Sequence, residues 1–115
     1  ETAFNQILLH RQPVDGRKQI NGLSVIVSDA MGTSPLGPAL FAFVNKGRDT
    51  IRLLYWDRTG FALWTKRLEK ERFKWPLKSK ESTMSLSTAQ LTWLLDGLDI
   101  LTQRPHEELK FTDIK

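Results

Sequence analysis

Three β-type runs follow one another between residues 40 and 68 with only short turns between them, and no other feature of this chain restricts its fold as much. Residues 40–45 are rich in phenylalanine and valine, Lys46-Gly47-Arg48-Asp49 makes a turn, and Ile51 to Trp56 is a second run. Asp57-Arg58-Thr59-Gly60 turns the chain again into Phe61 to Leu68. Connections this short join antiparallel neighbours, because a parallel return needs a long crossover. In the third run Phe61, Leu63 and Thr65 share one face and Ala62, Trp64 and Lys66 the other. Arg72 to Trp75, ended by Pro76, is expected as a fourth short strand. The pattern therefore predicts an α+β fold, an antiparallel β-meander of three to five strands over residues 40–75 packed against two main helices.

The flanking segments supply those helices. Asp15 is the expected N-cap of a helix over 16–31, with Ile20, Leu23, Val27 and Met31 at spacings of three and four and Gly32 as its stop. Thr33 to Pro38 holds two prolines and a glycine and reads as a loop. Ser87-Thr88-Ala89-Gln90 has the form of a capping box opening a helix over 88–99, whose stripe Leu91, Leu94, Leu95, Leu98 is expected to be buried. Gln6 to His10 is long enough only for a strand and is expected at a sheet edge, while residues 77–85 read as a polar loop. At 115 residues the chain is expected to form a single domain, with a core over about 6–100 and a loosely held tail over 101–115. Its first residue, Glu1, is not a methionine, so the numbering is expected to start inside a longer reading frame or at an engineered junction.

Composition narrows the chemistry. Forty per cent hydrophobic residues and four tryptophans are too apolar for a disordered chain. No apolar run approaches a membrane span, and the start lacks a signal pattern. The absence of cysteine excludes disulfides, thiolate zinc sites and cysteine nucleophiles, and fits a cytoplasmic setting. His10 and His106 lack a zinc-ligand spacing, no glycine-rich loop precedes a helix, and Asp29, Asp57 and Asp96 sit in settings that look structural. No cofactor, no metal and no catalysis are expected.

What remains is charge. The net +4 is concentrated in residues 46–80, where eleven basic residues face four acidic ones, whereas residues 81–115 are net acidic. A basic segment of this kind suits a polyanion, an acidic protein surface or a solvated sheet face. Aromatics interleave with the cations, as in Tyr55-Trp56 beside Arg52 and Arg58, and in Arg72-Phe73-Lys74-Trp75. Such aromatics can stack bases while the cations hold phosphates, or they can simply fill the core. Lys66 and Arg67 are strand neighbours and should point to opposite faces.

The chain from Asp15 to about Ile100 carries further blocks in a characteristic order: Asp15-Gly16-Arg17-Lys18, Ile51-Arg52-Leu53-Leu54-Tyr55-Trp56-Asp57, Lys66-Arg67-Leu68-Glu69, Arg72-Phe73-Lys74-Trp75-Pro76 and Leu86-Ser87-Thr88-Ala89-Gln90-Leu91. These resemble the small accessory protein, of the TnpB or second-reading-frame type, encoded by bacterial insertion sequences of the sixty-six class. The resemblance implies a non-catalytic assistant in transposition, with the DNA-cutting carboxylates on a separate, larger transposase. Two readings of the basic third follow. In the first the chain binds DNA at the element ends, with Arg17, Lys18, Arg52, Lys66, Arg67, Arg72 and Lys74 as phosphate contacts and Trp56 or Trp75 as stacking residues. Lys78 and Lys80, in the polar loop, are expected to matter less. In the second the chain is an adapter that binds the transposase without touching DNA.

Overall fold

The structure, a computed structural model, describes residues 4–78 and 80–102. The elements run β1 (Gln6–His10), α1 (Ile20–Asp29), β2 (Ala39–Val44), β3 (Thr50–Asp57), β4 (Gly60–Arg67), β5 (Thr83–Leu86) and α2 (Thr88–Leu95). The five strands form one sheet in the order β4-β3-β2-β1-β5. β2, β3 and β4 make the expected antiparallel meander, with Asp57 opposite Gly60 at the tight second turn. The result is an α+β fold with a mostly antiparallel sheet and two helices.

β2, Ala39-Leu40-Phe41-Ala42-Phe43-Val44, is buried at all six positions. A strand covered on one face alternates apolar and polar residues, so this unbroken apolar run requires cover on both faces. Phe41 and Phe43 meet Leu23 and Val27 of α1, with Leu54 of β3 beside them. On the opposite face Leu40, Ala42 and Val44 join Ile51, Leu53 and Leu9 beneath Leu94 of α2 and the extended segment carrying Phe73 and Trp75. The sheet is thus the middle of three layers.

Several expectations are corrected. β1 is an interior strand, parallel to β2 and antiparallel to β5. It could not be placed from sequence because α1, in the crossover, allows the chain to return alongside β1 in the same direction. Residues 83–86 leave the expected polar loop as β5, since Met84 and Leu86 face inward and Thr83 and Ser85 outward over only four residues. Residues 72–75 are extended and alternate as a strand would, but they cross a sheet face and pair with no strand. Among the described residues the outer edge of β4 stays open; the bonds from the Phe73 N–H to the Arg48 carbonyl and from the Trp75 indole N–H to the carbonyls of His10 and Arg11 hold the segment over the sheet face instead.

Helix ends also moved. α1 starts at Ile20 behind Gln19, which makes no side-chain cap. Asp15 instead accepts the Arg17 backbone N–H at 2.9 Å and closes a local turn. Gly32, with φ of 67°, turns the chain just beyond the C-terminus of α1. α2 has the predicted capping box: Ser87 Oγ accepts the Gln90 N–H at 3.0 Å and Gln90 Oε1 accepts the Ser87 N–H at 2.8 Å. It ends at Leu95 because Gly97, with φ of 86°, takes the left-handed position. The N–H groups of Gly97 and Leu98 then reach back to the carbonyls of Leu94 and Trp93 at 3.0 and 2.9 Å, a Schellman closure. That closure turns Leu98 outward, and it is 41% exposed where the stripe predicted burial. Leu94 is fully buried, and Leu91 and Leu95 are half-buried. The expected loosely held tail lies, from residue 103 on, outside the described residues.

One polar group stays inside. His10 is buried against Phe43, its Nδ1 has no hydrogen-bond partner among the described residues, and burial pushes its pKa below the ordinary 6.5. Leu94→Ala is expected to cost roughly 2 to 5 kcal/mol in denaturant unfolding, and Ser87→Ala about 1 kcal/mol. The unfolded chain binds a proton at His10 more readily than the folded one, so His10 favours folding above pH 6.5 and that contribution is lost as pH falls below it. Thermal melts between about pH 7 and about pH 5 should show a steeper acid loss for the wild type than for His10→Phe.

Candidate nucleic-acid interface

The five-residue turn between β2 and β3 is built by side chains. Asn45 Oδ1 accepts the N–H groups of Asp49 and Thr50, both at 3.1 Å, and its Nδ2 donates to Asp49 Oδ1 at 2.7 Å. The amide of Asn45 and the hydroxyl of Thr50 hold the Asp49 carboxyl below the usual carboxylate pKa. Within this frame Arg48 adopts φ of 60°, and its carbonyl accepts the Phe73 N–H at 2.7 Å. The extended segment after β4 is hooked to the turn at that point.

Its other end is latched to β1. The Trp75 indole N–H is shared between the carbonyls of His10 and Arg11, at 3.2 and 3.1 Å. Arg11 donates to the carbonyls of Pro76 and Glu81, each at 2.8 Å. With both ends held and a period of two, Phe73 and Trp75 face the core, and Arg72 and Lys74 face solvent.

An open groove of about 520 Å³ follows, and Arg48, Arg72, Lys74 and Lys78 line it. Phe73, Trp75 and Pro76 form its base, and Leu77, Leu101 and Asp99 complete it. Asp99 is the one carboxylate among its described lining residues. The ion pairs seen among the described residues involve Arg17, Arg58 and Arg67, so none of the four cations of the groove has an ion-pair partner among the described residues.

The expected site residues divide. Arg72 and Lys74 come together here, and Trp75 lies beneath them. Trp75 is only 6% exposed, which leaves no open ring face for stacking. Arg52 is 6% exposed, and its guanidinium donates to the carbonyls of Lys18 and Asp15, tying the chain before α1 to β3. Burial lowers its pKa, though an arginine stays charged through such a shift. Lys18 is exposed on that tied segment. Arg17 is exposed and paired to Asp15 at 2.8 Å, which holds that carboxyl well below the usual range. Trp56 is half-buried and meets Phe61 edge to face at 5.1 Å. Lys66 donates to the Leu95 carbonyl at 2.8 Å, capping the C-terminus of α2. Arg67, on the opposite face, is 3.4 Å from Glu69.

Arg48 and Lys78 belong to the groove although sequence reasoning did not group them with Arg72 and Lys74. The cation one turn upstream of a Phe-x-Trp-Pro segment is a weak signal until the Phe73 N–H to Arg48 bond is known. The candidate carboxylates do not converge: Asp29 ends α1 and Asp96 caps α2, on opposite faces of the sheet. No helix among the described residues is long and apolar enough to cross a membrane.

Comparison with known proteins places this arrangement among relatives. The profile of the family described as IS66 Orf2-like protein matches residues 5–105. The uncharacterized protein y4jC of Sinorhizobium fredii is 36% identical over 94 residues, covering 82% of this chain and 80% of that protein. A second uncharacterized protein of the same organism, y4hO, is 33% identical over 85 residues, covering 74% of this chain and 73% of its own length. No solved structure matches the chain with significance.

If Arg52 is a clamp, Arg52→Met should lower stability by about 1.5 to 3 kcal/mol, the range for hydrogen bonds to a charged group. Hydrogen exchange should then speed up at residues 15–19. An Arg52→Met protein as stable as wild type would show that the two carbonyl bonds contribute nothing.

Proposed function

The chain belongs to the IS66 Orf2-like family and is therefore a transposition-associated accessory protein, and we propose that it serves by holding the phosphate backbone of DNA at the element ends in the basic groove. The observation that carries this reading is that Arg72 and Lys74, on the segment hooked at Phe73 and latched at Trp75, meet Arg48 of the β2–β3 turn and Lys78 beyond the latch at one groove, none with an ion-pair partner among the described residues. Anchoring matters because an ordered array of cations loses less entropy on meeting a phosphate than cations on a free loop.

The same geometry limits what is read. Phe73 and Trp75 turn their rings into the core, so the groove offers no stacking platform, and neither helix presents itself as a reader of base edges. Contacts of this kind position a duplex without specifying its sequence. The chain is read as non-catalytic, with strand cleavage belonging to the larger transposase of the same element.

A second reading has one observation of its own. Leu77 and Leu101 are exposed beside the cations, and a polyanion has no use for them. An acidic segment of the transposase with an apolar side chain would use both features.

Four phosphate contacts predict that log affinity falls with log salt at a slope of roughly −3 to −4. Changing Arg48, Arg72, Lys74 and Lys78 together to glutamine should flatten that slope and weaken binding to every duplex tested, whereas Arg17→Gln with Arg67→Gln should change little. An unchanged slope in a folded quadruple variant would remove the groove as a phosphate site. Loss of a transposase pull-down by that variant, with DNA affinity intact, would establish the adapter reading instead.

A further inference from the structure

The sheet ends at β4, which pairs with β3 from Asp57-Gly60 to Thr50-Arg67 without a bulge and has no described strand on its outer side. Long, regular edge strands are templates for a further strand unless proline, a bulge or an inward charge blunts them. Gly60-Phe61-Ala62-Leu63-Trp64-Thr65-Lys66-Arg67 carries no proline, and its one inward charge, Lys66, lies near the end of the strand with its ammonium held on the Leu95 carbonyl at 2.8 Å, which leaves Phe61 to Thr65 without a charge. The Leu68 N–H donates to the Asp49 carbonyl at 2.8 Å, which sets the alternation of the ladder. Gly60, Ala62, Trp64 and Lys66 therefore turn their backbone groups to β3, while Phe61, Leu63, Thr65 and Arg67 turn theirs outward.

Beside this edge lies a second feature outside the basic groove. An apolar recess of about 450 Å³ is lined by Phe4, Leu40, Leu53, Tyr55, Trp64 and Leu95. Trp64 is 43% exposed at its rim, the largest apolar side chain on the edge. Leu40 and Leu53, both buried, form its floor, and the half-buried Phe4, Tyr55 and Leu95 form its walls.

From the edge and the recess together we infer that β4 pairs antiparallel with β4 of a second copy, about a two-fold axis at Trp64. This does not depend on what the basic groove binds. A two-fold requires the outward groups to face each other, and with Trp64 opposite Trp64 they do: Leu63 meets Thr65 and Phe61 meets Arg67, each pair exchanging both backbone bonds. Trp64 then occupies the close, non-bonded position, and the two indoles meet over the recesses that each chain leaves open. Lys66 falls opposite Ala62, a long side chain beside a small one, and Arg67 opposite the Phe61 ring. Charge selects this arrangement. Parallel pairing in register would stack Lys66 on Lys66 and Arg67 on Arg67, whereas the antiparallel two-fold sends the two cationic ends apart.

The chain has no cysteine, so one introduced thiol reports the register directly. Trp64→Cys should form a covalent dimer under mild oxidation, because only residue 64 meets itself on the axis at a separation a disulfide can span. Ala62→Cys and Lys66→Cys should not. By light scattering across a concentration series the wild type should be a dimer. Thr65→Pro removes an outward N–H, Trp64→Lys puts two ammonium groups on the axis, and each should be a monomer with unchanged circular dichroism. Should Thr65→Pro fail to fold, Trp64→Lys at its half-exposed site reads the same interface. A wild type that stays monomeric into the high micromolar range, a dimer that survives both substitutions, or cross-linking as strong at 62 or 66 as at 64 would overturn the inference.

Discussion

Everything in this molecule follows from a central strand that water reaches on neither side. β2 presents phenylalanines to one face and smaller aliphatic residues to the other, and all six positions are buried. Burying apolar area is worth about 25 cal/mol per Å², so neither face could stay open without forfeiting much of the stability of a domain this small. α1 covers the phenylalanine face through Leu23 and Val27. The other face is wider than the eight-residue α2 can cover, and the extended segment around Phe73 and Trp75 supplies the remainder.

That division of labour creates the basic groove. A segment recruited as a core lid must send every second side chain inward, and the intervening residues are thrown to the surface. In this chain the inward residues are aromatic and the outward ones cationic. The lid is then held by backbone and indole bonds at Arg48, His10 and Arg11. Stability and charge presentation are therefore two sides of the same ten or so residues, which makes Phe73 and Trp75 positioning residues for the cations above them.

The cations of the basic third do different physical work according to where the fold leaves them. Arg52 is spent inside on two carbonyls, Lys66 on the end of α2, and Arg58 and Arg67 on neighbouring carboxylates. Buried arginine is tolerated here because two of its donors are directed at the backbone carbonyls of Lys18 and Asp15. Arg48, Arg72, Lys74 and Lys78 are the cations that the fold gathers at one groove with no ion-pair partner among the described residues.

The sequence by itself determined what depends on neighbours along the chain. The three-stranded meander, the turns at Lys46 and Asp57, the loop at 33–38 and the capping box at Ser87 were all legible, because each rests on contacts within a few residues. The alternation of β4, with Lys66 and Arg67 on opposite faces, was legible for the same reason. Family membership was also readable from its ordered blocks. Only the tertiary structure decided that β1 lies between β2 and β5, that 83–86 is a strand, and that 72–75 is a lid. Those outcomes turn on which edge or face is still unoccupied when a segment arrives. It likewise decided which cations are free, since Arg52 and Arg72 are indistinguishable as letters and differ only in whether a carbonyl of a distant segment lies within reach.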